Sequence, residues 1–404
     1  MSKQVQDAYI VSATRLPIGK SGRGFYKNTR PDEMLVKVMQ AVLAQAPGLD
    51  PAAIEDAIVG CSFPEAEQGM NIARVASVLA GLGPTIGGVT INRYCASGIT
   101  AVQMAADRIR VGEADVMFAG GVESMSMIPM GGNKPSLSPL IFEKDENIGI
   151  AYGMGLTAEK VAAQWKISRE AQDAFSVESH RRAVAAMAAG HFDAEMTPFD
   201  VIERTPNLAD GTVNVKTRTV KLDEGARPDT SLEGLAKLKP VFAAKGSVTA
   251  GNSSQTSDGS GGLLIVSEAA LKRYNLTPLA RFVSFAVRGV PPEIMGIGPI
   301  AAIPVALKAA GITAADLDWI ELNEAFAAQS LAVLNDLDSK GIELDRAKVN
   351  PNGGAIALGH PLGATGAIRA ASVIHGLRRT GGKYGMVTMC VGAGQGAAGI
   401  FERL

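Results

Sequence analysis

One pattern occurs twice in this chain, and a repeat constrains a fold more than any single motif does. Residues 42–58, VLAQAPGLDPAAIEDAI, read as the end of a helix, a short turn, a second amphipathic stretch and a strand. Residues 306–320, ALKAAGITAADLDWI, run in the same order with small slips. Further along each copy, CASG at 95–98 and HPLG at 360–363 occupy matching places. A duplicated unit of this kind sets Cys95 and His360 at the starts of equivalent helices, facing each other near a pseudo-twofold axis.

The flanking texture defines the unit. Strand-like runs at 8–14, 58–61, 89–92 and 115–122 alternate with helical runs over about 31–46 and after Cys95. Such alternation predicts an α/β core with a parallel or mixed sheet. From Glu123 to Gly246 the texture changes to a Gly/Pro/Ser/Met-rich loop, a long helical stretch from Met154 to Ala189, and turn-rich polar sequence. This reads as a lid set into the first unit. The expected divisions are 1–122 for the first part of the N-terminal half, 123–246 for the lid, 247–275 for completion of that half, and 276–404 for the C-terminal half.

Composition removes several classes of function. A formal charge of -1 gives no general attraction to nucleic acid or acidic membranes. No apolar run is expected to approach the roughly 20 residues that span a bilayer, and the polar opening MSKQVQD lacks a secretory layout. A cytoplasmic protein is expected. Three cysteines and four histidines are too few for a disulfide framework or a zinc cluster, so no metal is expected.

Four places can carry chemistry. Cys95 lies where a strand gives way to a helix, and a helix N-terminus favours a thiolate; a buried structural thiol is the alternative. His360 sits among glycines, which suit either close approach of a ligand or tight packing. The other histidines, His180, His191 and His375, lie in Arg-rich or helical contexts and read as solvated. Cys390 ends the strand 384–390 and meets a glycine loop whose amides can serve as oxyanion donors, or it is a core residue. Asn323 and Glu324 follow a strand, on the side of an α/β unit where ligands bind, or they cap the next helix.

Together the motifs NRYCASG (92–98), GGVESM (120–125), VTAGNSS (248–254), NEAF (323–326), GGAIALGHPLG (353–363) and CVG (390–392) occur in the order and spacing of the thiolases. The chain resembles that family over essentially its whole length. The segments 224–240 and 289–299 are similar to the degradative 3-ketoacyl-CoA thiolases of the peroxisomal-type branch. The resemblance implies a fold of two αβαβα layered halves with an inserted lid. Cys95 would be the acylated nucleophile and His360 its base. Cys390 would be the second acid/base. Asn323 would hold a water in one oxyanion hole, and the amides of Cys95 and Gly392 would form another. Met154, Arg227, Phe242, Ala250, Ser254, Ala325 and Phe326 would line the coenzyme A tunnel. Coenzyme A, 3-ketoacyl-CoA and acetyl-CoA would be substrates and products, no tightly bound cofactor is implied, and a homodimer or homotetramer is expected.

One residue departs from the short-chain biosynthetic members, which commonly carry a histidine before the methionine of the lid motif; here Gly153 precedes Met154. That favours β-oxidation over acetoacetyl-CoA formation. A decarboxylating synthase, which uses a second histidine where this chain has Cys390, fits less well. A non-catalytic acyl-CoA-binding relative would be marked by loss of Cys95, His360 or Cys390, and all three are present.

Overall fold

In the computed structural model residues 5–404 are described; Met1–Gln4, part of the polar opening read above, lie outside them. The first half comprises β1 (Tyr9–Arg15), α1 (Pro31–Ala44), β2 (Asp56–Gly60), β3 (Val89–Ile91), α2 (Ser97–Arg110) and β4 (Val116–Ser124). The inserted segment holds α3 (Met154–Gln164), α4 (Arg169–Ala188) and a hairpin of β5 (Phe199–Asn207) with β6 (Thr212–Val220). The strand β7 (Ser257–Val266) completes the first half. The second half has β8 (Ala280–Gly289), α5 (Gly298–Ala310), β9 (Leu317–Leu322), α6 (Ala327–Ser339), α7 (Leu362–Thr380), β10 (Tyr384–Val391) and β11 (Gln395–Arg403).

The duplication is written into the strand order. The first half reads β3-β2-β4-β7-β1 and the second reads β9-β10-β11-β8, joined by β1 against β8. Within each half the pairings match. β1 is antiparallel to β7, β7 to β4, and β4 parallel to β2, while β8 is antiparallel to β11, β11 to β10, and β10 parallel to β9. Even the edge strand has a remnant counterpart, because Val349 bridges Ile320 in parallel as β3 pairs with β2.

Layering follows from side-chain alternation along strands buried on both faces. Met117 and Ala119 face a core shared with α2 and α7, while Val116 and Phe118 face a core under α1. In the second half Val387 and Met389 face the α2/α7 core, while Met386 faces a third core with α5 and α6. Two sheet halves therefore enclose α2 and α7, with further helices outside, giving five layers. The two enclosed helices cross at glycines. A Cβ on Gly98 would lie 2.7 Å from the Ala367 nitrogen, and one on Gly366 would lie 2.2 Å from the Ile99 nitrogen. No side chain fits between these backbones.

The structure corrects three sequence expectations. The helical stretch 154–189 is two helices, not one. Lys166 takes a left-handed φ of 55°, and Ser168 accepts a hydrogen bond from the Ala171 amide at 3.2 Å to start α4. The strand expected to end at Val122 continues to Ser124. The 19 residues Pro292–Ala310 are, by length and composition, apolar enough to cross a membrane, which the sequence reading overlooked. The segment is a 3₁₀ turn followed by α5, and α5 packs on β8 and β11 with Ile303 and Ala306 in the third core.

Candidate active site

The corner at 92–98 is built by its own polar side chains. Asn92 accepts from the Tyr94 amide at 2.8 Å and donates to the Ser62 carbonyl at 2.9 Å. The Ser97 hydroxyl accepts from the Arg93 amide at 2.8 Å and donates to the Tyr94 carbonyl at 2.6 Å. These bonds hold Tyr94 at a left-handed φ of 42° and seat Cys95 in a single 3₁₀ turn ahead of α2. Cys95 stands two residues before α2, as His360 stands two residues before α7. The matching places read in the sequence are matching places in the fold.

His360 is buried and held on three sides. Its amide donates to the Gln255 carbonyl and the Ser257 hydroxyl, at 3.2 and 3.1 Å. Nδ1 lies 2.7 Å from the Thr365 hydroxyl, and Nε2 lies 3.3 Å from the Asn323 side-chain nitrogen. With an amide donor at Nε2, the ring's proton sits on Nδ1 and Thr365 accepts it. Burial, with Arg369 nearby, pulls the imidazole down to about 3, so it is neutral at every physiological pH.

The strand expected to end at Cys390 runs one residue further, to Val391; Cys390 is next to last in β10 with no exposed surface, and its thiol is pushed far above the ordinary range by burial and then by Cys95. Gly392 follows in a tight turn, with Ala393 and Gly394 both at positive φ. Asn323 donates its backbone amide to the Thr388 carbonyl of β10 at 2.9 Å, and its buried Oδ1 has no hydrogen-bond partner. An unpartnered buried oxygen beside the His360 imidazole is a place for a substrate or a water. Next to it, Glu324 is locked by Ser179 at 2.6 Å and Asn350 at 2.8 Å.

The thiol chemistry differs from the sequence expectation of a helix-activated thiolate. Burial pushes the Cys95 thiol up to about 12; the backbone amide of Cys95 itself and that of Gly392 pull it down, while Glu123 raises it. Loss of hydration outweighs the dipole and the two donors. A resting thiol and a resting neutral imidazole share one cavity.

Cys95 and His360 open onto a cavity of about 530 Å³ whose wall includes Met154, Phe242, Ser254, Ala325, Phe326, Met125, Met295 and Leu362. Cys390 lies just behind that wall, packed with Met295, Ala325 and Phe326. A second cavity of about 540 Å³ shares Phe242 and Ser254 with the first and adds Arg227 and Ala250. All seven residues that the resemblance assigns to the coenzyme tunnel thus line these two joined cavities. Phe242 also closes onto Gly155 of α3, where a Cβ would lie 2.1 Å from its ring.

Reading the sequence missed several supporting groups. Thr365 gives no local signal beyond standing five residues after His360. The histidines read as solvated are not: His180 is buried and accepts from the Arg227 amide at 3.1 Å, and His375 bonds the Ala13 carbonyl at 2.8 Å. His191 is partly buried beside Asn352, at 3.1 Å. Among the described residues no three His, Cys, Asp or Glu side chains group to hold a metal ion.

A buried thiol and a neutral imidazole opening onto one largely apolar cavity are a constellation suited to acyl transfer. Residues 8–269 match the thiolase N-terminal domain and residues 276–403 the thiolase C-terminal domain. The chain belongs to the thiolase family. It is 46% identical over 398 residues to 3-ketoacyl-CoA thiolase of Bacillus subtilis (strain 168), covering 98% of this chain and 100% of that one. It is also 46% identical over 397 residues to peroxisomal 3-ketoacyl-CoA thiolase A of Rattus norvegicus, covering 98% and 88%. The crystal structure of human mitochondrial 3-ketoacyl-CoA thiolase in complex with CoA superposes with a TM-score of 0.86 at 39% identity, covering 99% and 98%.

Proposed function

We propose that this protein is a degradative 3-ketoacyl-CoA thiolase, cleaving 3-ketoacyl-CoA with coenzyme A to acetyl-CoA and a shortened acyl-CoA in fatty-acid β-oxidation. The observation that carries the reading is the meeting of two thiols and one neutral histidine from both halves: Cys95 and His360 on one cavity, His360 held by Thr365 and Asn323, and Cys390 within electrostatic reach of Cys95.

The geometry supports the following sequence. His360 takes the Cys95 proton at Nε2 as the sulfur attacks the 3-keto carbon, because neither group ionises alone at neutral pH. The Cα–Cβ bond breaks, its electrons pass into the acetyl-CoA enolate, and the Cys390 thiol gives its proton to that carbon. The shortened acyl group stays on Cys95, its carbonyl oxygen facing the Cys95 and Gly392 amides. Incoming coenzyme A loses its thiol proton to Cys390 and attacks the thioester. Cys95 leaves and recovers its proton from His360. Every proton returns to its starting group.

A homodimer or homotetramer in the cytoplasm completes the proposal; it rests on the family resemblance and the sequence reading, and sedimentation and cell fractionation test it. The functional test is thiolysis across 3-ketoacyl-CoA substrates from acetoacetyl-CoA to long chains, with Cys95→Ala as blank. Turnover extending beyond acetoacetyl-CoA is expected. Activity confined to acetoacetyl-CoA would replace this reading with a short-chain acetyltransferase.

A further inference from the structure

One buried carboxylate close to the site takes no part in the chemistry described. Glu123, next to last in β4, is 1% exposed, and its partners are amides and a thiol rather than a cation. Its Oε2 accepts from the Ser62 and Gly363 amides, each at 2.8 Å. Its Oε1 accepts from the Gln68 side chain at 2.5 Å and the Phe63 amide at 3.3 Å, with the Cys61 thiol at 3.7 Å. Four N–H groups thus converge on two oxygens. They favour the anion, which burial opposes. A buried polar group with all its partners in place is a rigid joint.

The joint connects both halves of the molecule. Gly363 lies in the first turn of α7, three residues after His360. Ser62 lies at the other end: its carbonyl accepts from Asn92 at 2.9 Å, and Asn92 builds the corner that seats Cys95. One oxygen therefore ties together the two helix starts. The fit is close, since a Cβ on Gly363 would fall 2.8 Å from Oε2 and 2.7 Å from the Cys61 Cα.

The duplication points to the same residue independently. With Ile58 aligned on Ile320, Gly60 of β2 pairs with Gly121 of β4 as Leu322 of β9 pairs with Thr388 of β10. Two residues further along, Glu123 falls on Cys390, next to last in its strand as well. The thiol beside Cys95 thus has a twin on the His360 side, and there a carboxylate occupied by amides stands in its place.

Resting on the thiolase reading, we propose that Glu123 is a positioning residue for thiolysis, clamping the start of α7 to the turn at 61–63 so that His360 stays in reach of the Cys95 sulfur. Glu123 is not among the residues lining the cavity, so substrate binding is not its task.

The test measures steady-state thiolysis and the single-turnover rate of Cys95 acylation in the wild type, Glu123→Asp and Glu123→Gln. Each is assayed below its melting temperature, with folding checked by circular dichroism. Aspartate keeps the charge but is one methylene too short to span Ser62 and Gly363. Glutamine keeps the length and one acceptor oxygen for that pair. Misplacement by about 1 Å can slow an aligned step about a hundredfold. Acylation and kcat are expected to fall about 10–100-fold in Glu123→Asp and clearly less in Glu123→Gln, with KM for coenzyme A within about twofold in both. A merely structural residue would lower the melting temperature and leave acylation by the folded enzyme unchanged. Wild-type acylation in folded Glu123→Asp overturns the proposal, as does a loss in Glu123→Gln of about 10–100-fold or more, which would mean that charge rather than the clamp matters. A loss that appears in KM instead of kcat overturns it too. A wild type that cleaves no 3-ketoacyl-CoA at all would instead overturn the thiolase reading.

Discussion

Cys95 is a weak acid where it stands, and that fact shapes how it must be used. With the thiol pushed up to about 12 and the imidazole down to about 3, a thiolate–imidazolium pair is not a resting state. A raised thiol value means that the reactive thiolate grows with pH until that value is passed. Alkylation of Cys95 by iodoacetamide in the free enzyme is therefore expected to climb nearly tenfold per unit through about pH 9 and beyond. A plateau below about pH 8 would show a thiolate formed before substrate arrives. The candidate residues stood out in the sequence because each lies within a compact motif whose neighbours are small or polar, and the fold brings Cys95 and His360 to one cavity. Their ionisation was not legible, because burial is set by residues far away in the chain. His180 shows the same limit: two arginines beside it suggest solvent, yet the fold buries it beneath Arg227.

At the scale of elements, the strands were readable as apolar runs because both faces of the sheet are covered, whereas the helix start capped by Ser168 was missed inside the stretch 154–189. The break at Lys166 was not readable, since a left-handed lysine carries no sequence signature. The elements that matter most are α2 and α7, whose starts deliver Cys95 and His360. Their crossing depends on glycine. Gly98→Ala is expected to destabilise the protein by about 1–3 kcal/mol, because the new methyl meets backbone rather than a side chain that can swing away. Urea denaturation measures this; an unchanged midpoint would mean that the two helices are not held so close.

At the scale of the molecule, duplication creates the site. The first half contributes Cys95, and the second contributes His360, Asn323, Cys390 and Gly392. The repeat was visible in the sequence through the two helix–turn–strand stretches and the CASG/HPLG correspondence. How the lid is fastened was not, because its fastener is a charge network spread over more than two hundred residues. Arg15 of β1 is buried and pairs with Glu195 at 2.6 Å and Asp223 at 2.7 Å, tying the inserted segment to the core sheet. Arg15→Met strands two carboxylates in the interior and is expected to cost about 3–5 kcal/mol, with part of that recovered by adding Glu195→Gln and Asp223→Asn. Thermal denaturation of the single and triple variants checks the sign of both effects.

The proposed chemistry turns on a covalent bond from Cys95 to the shortened acyl group. The most direct measurement mixes the reduced enzyme with a medium-chain 3-ketoacyl-CoA in the absence of coenzyme A and reads the intact mass and the Cys95 peptide. The expected result is release of one acetyl-CoA per active site and an added acyl group, two carbons shorter than the substrate's, on Cys95, discharged when coenzyme A is supplied. Acetyl-CoA release without an acylated Cys95, or an adduct that survives coenzyme A, would contradict it.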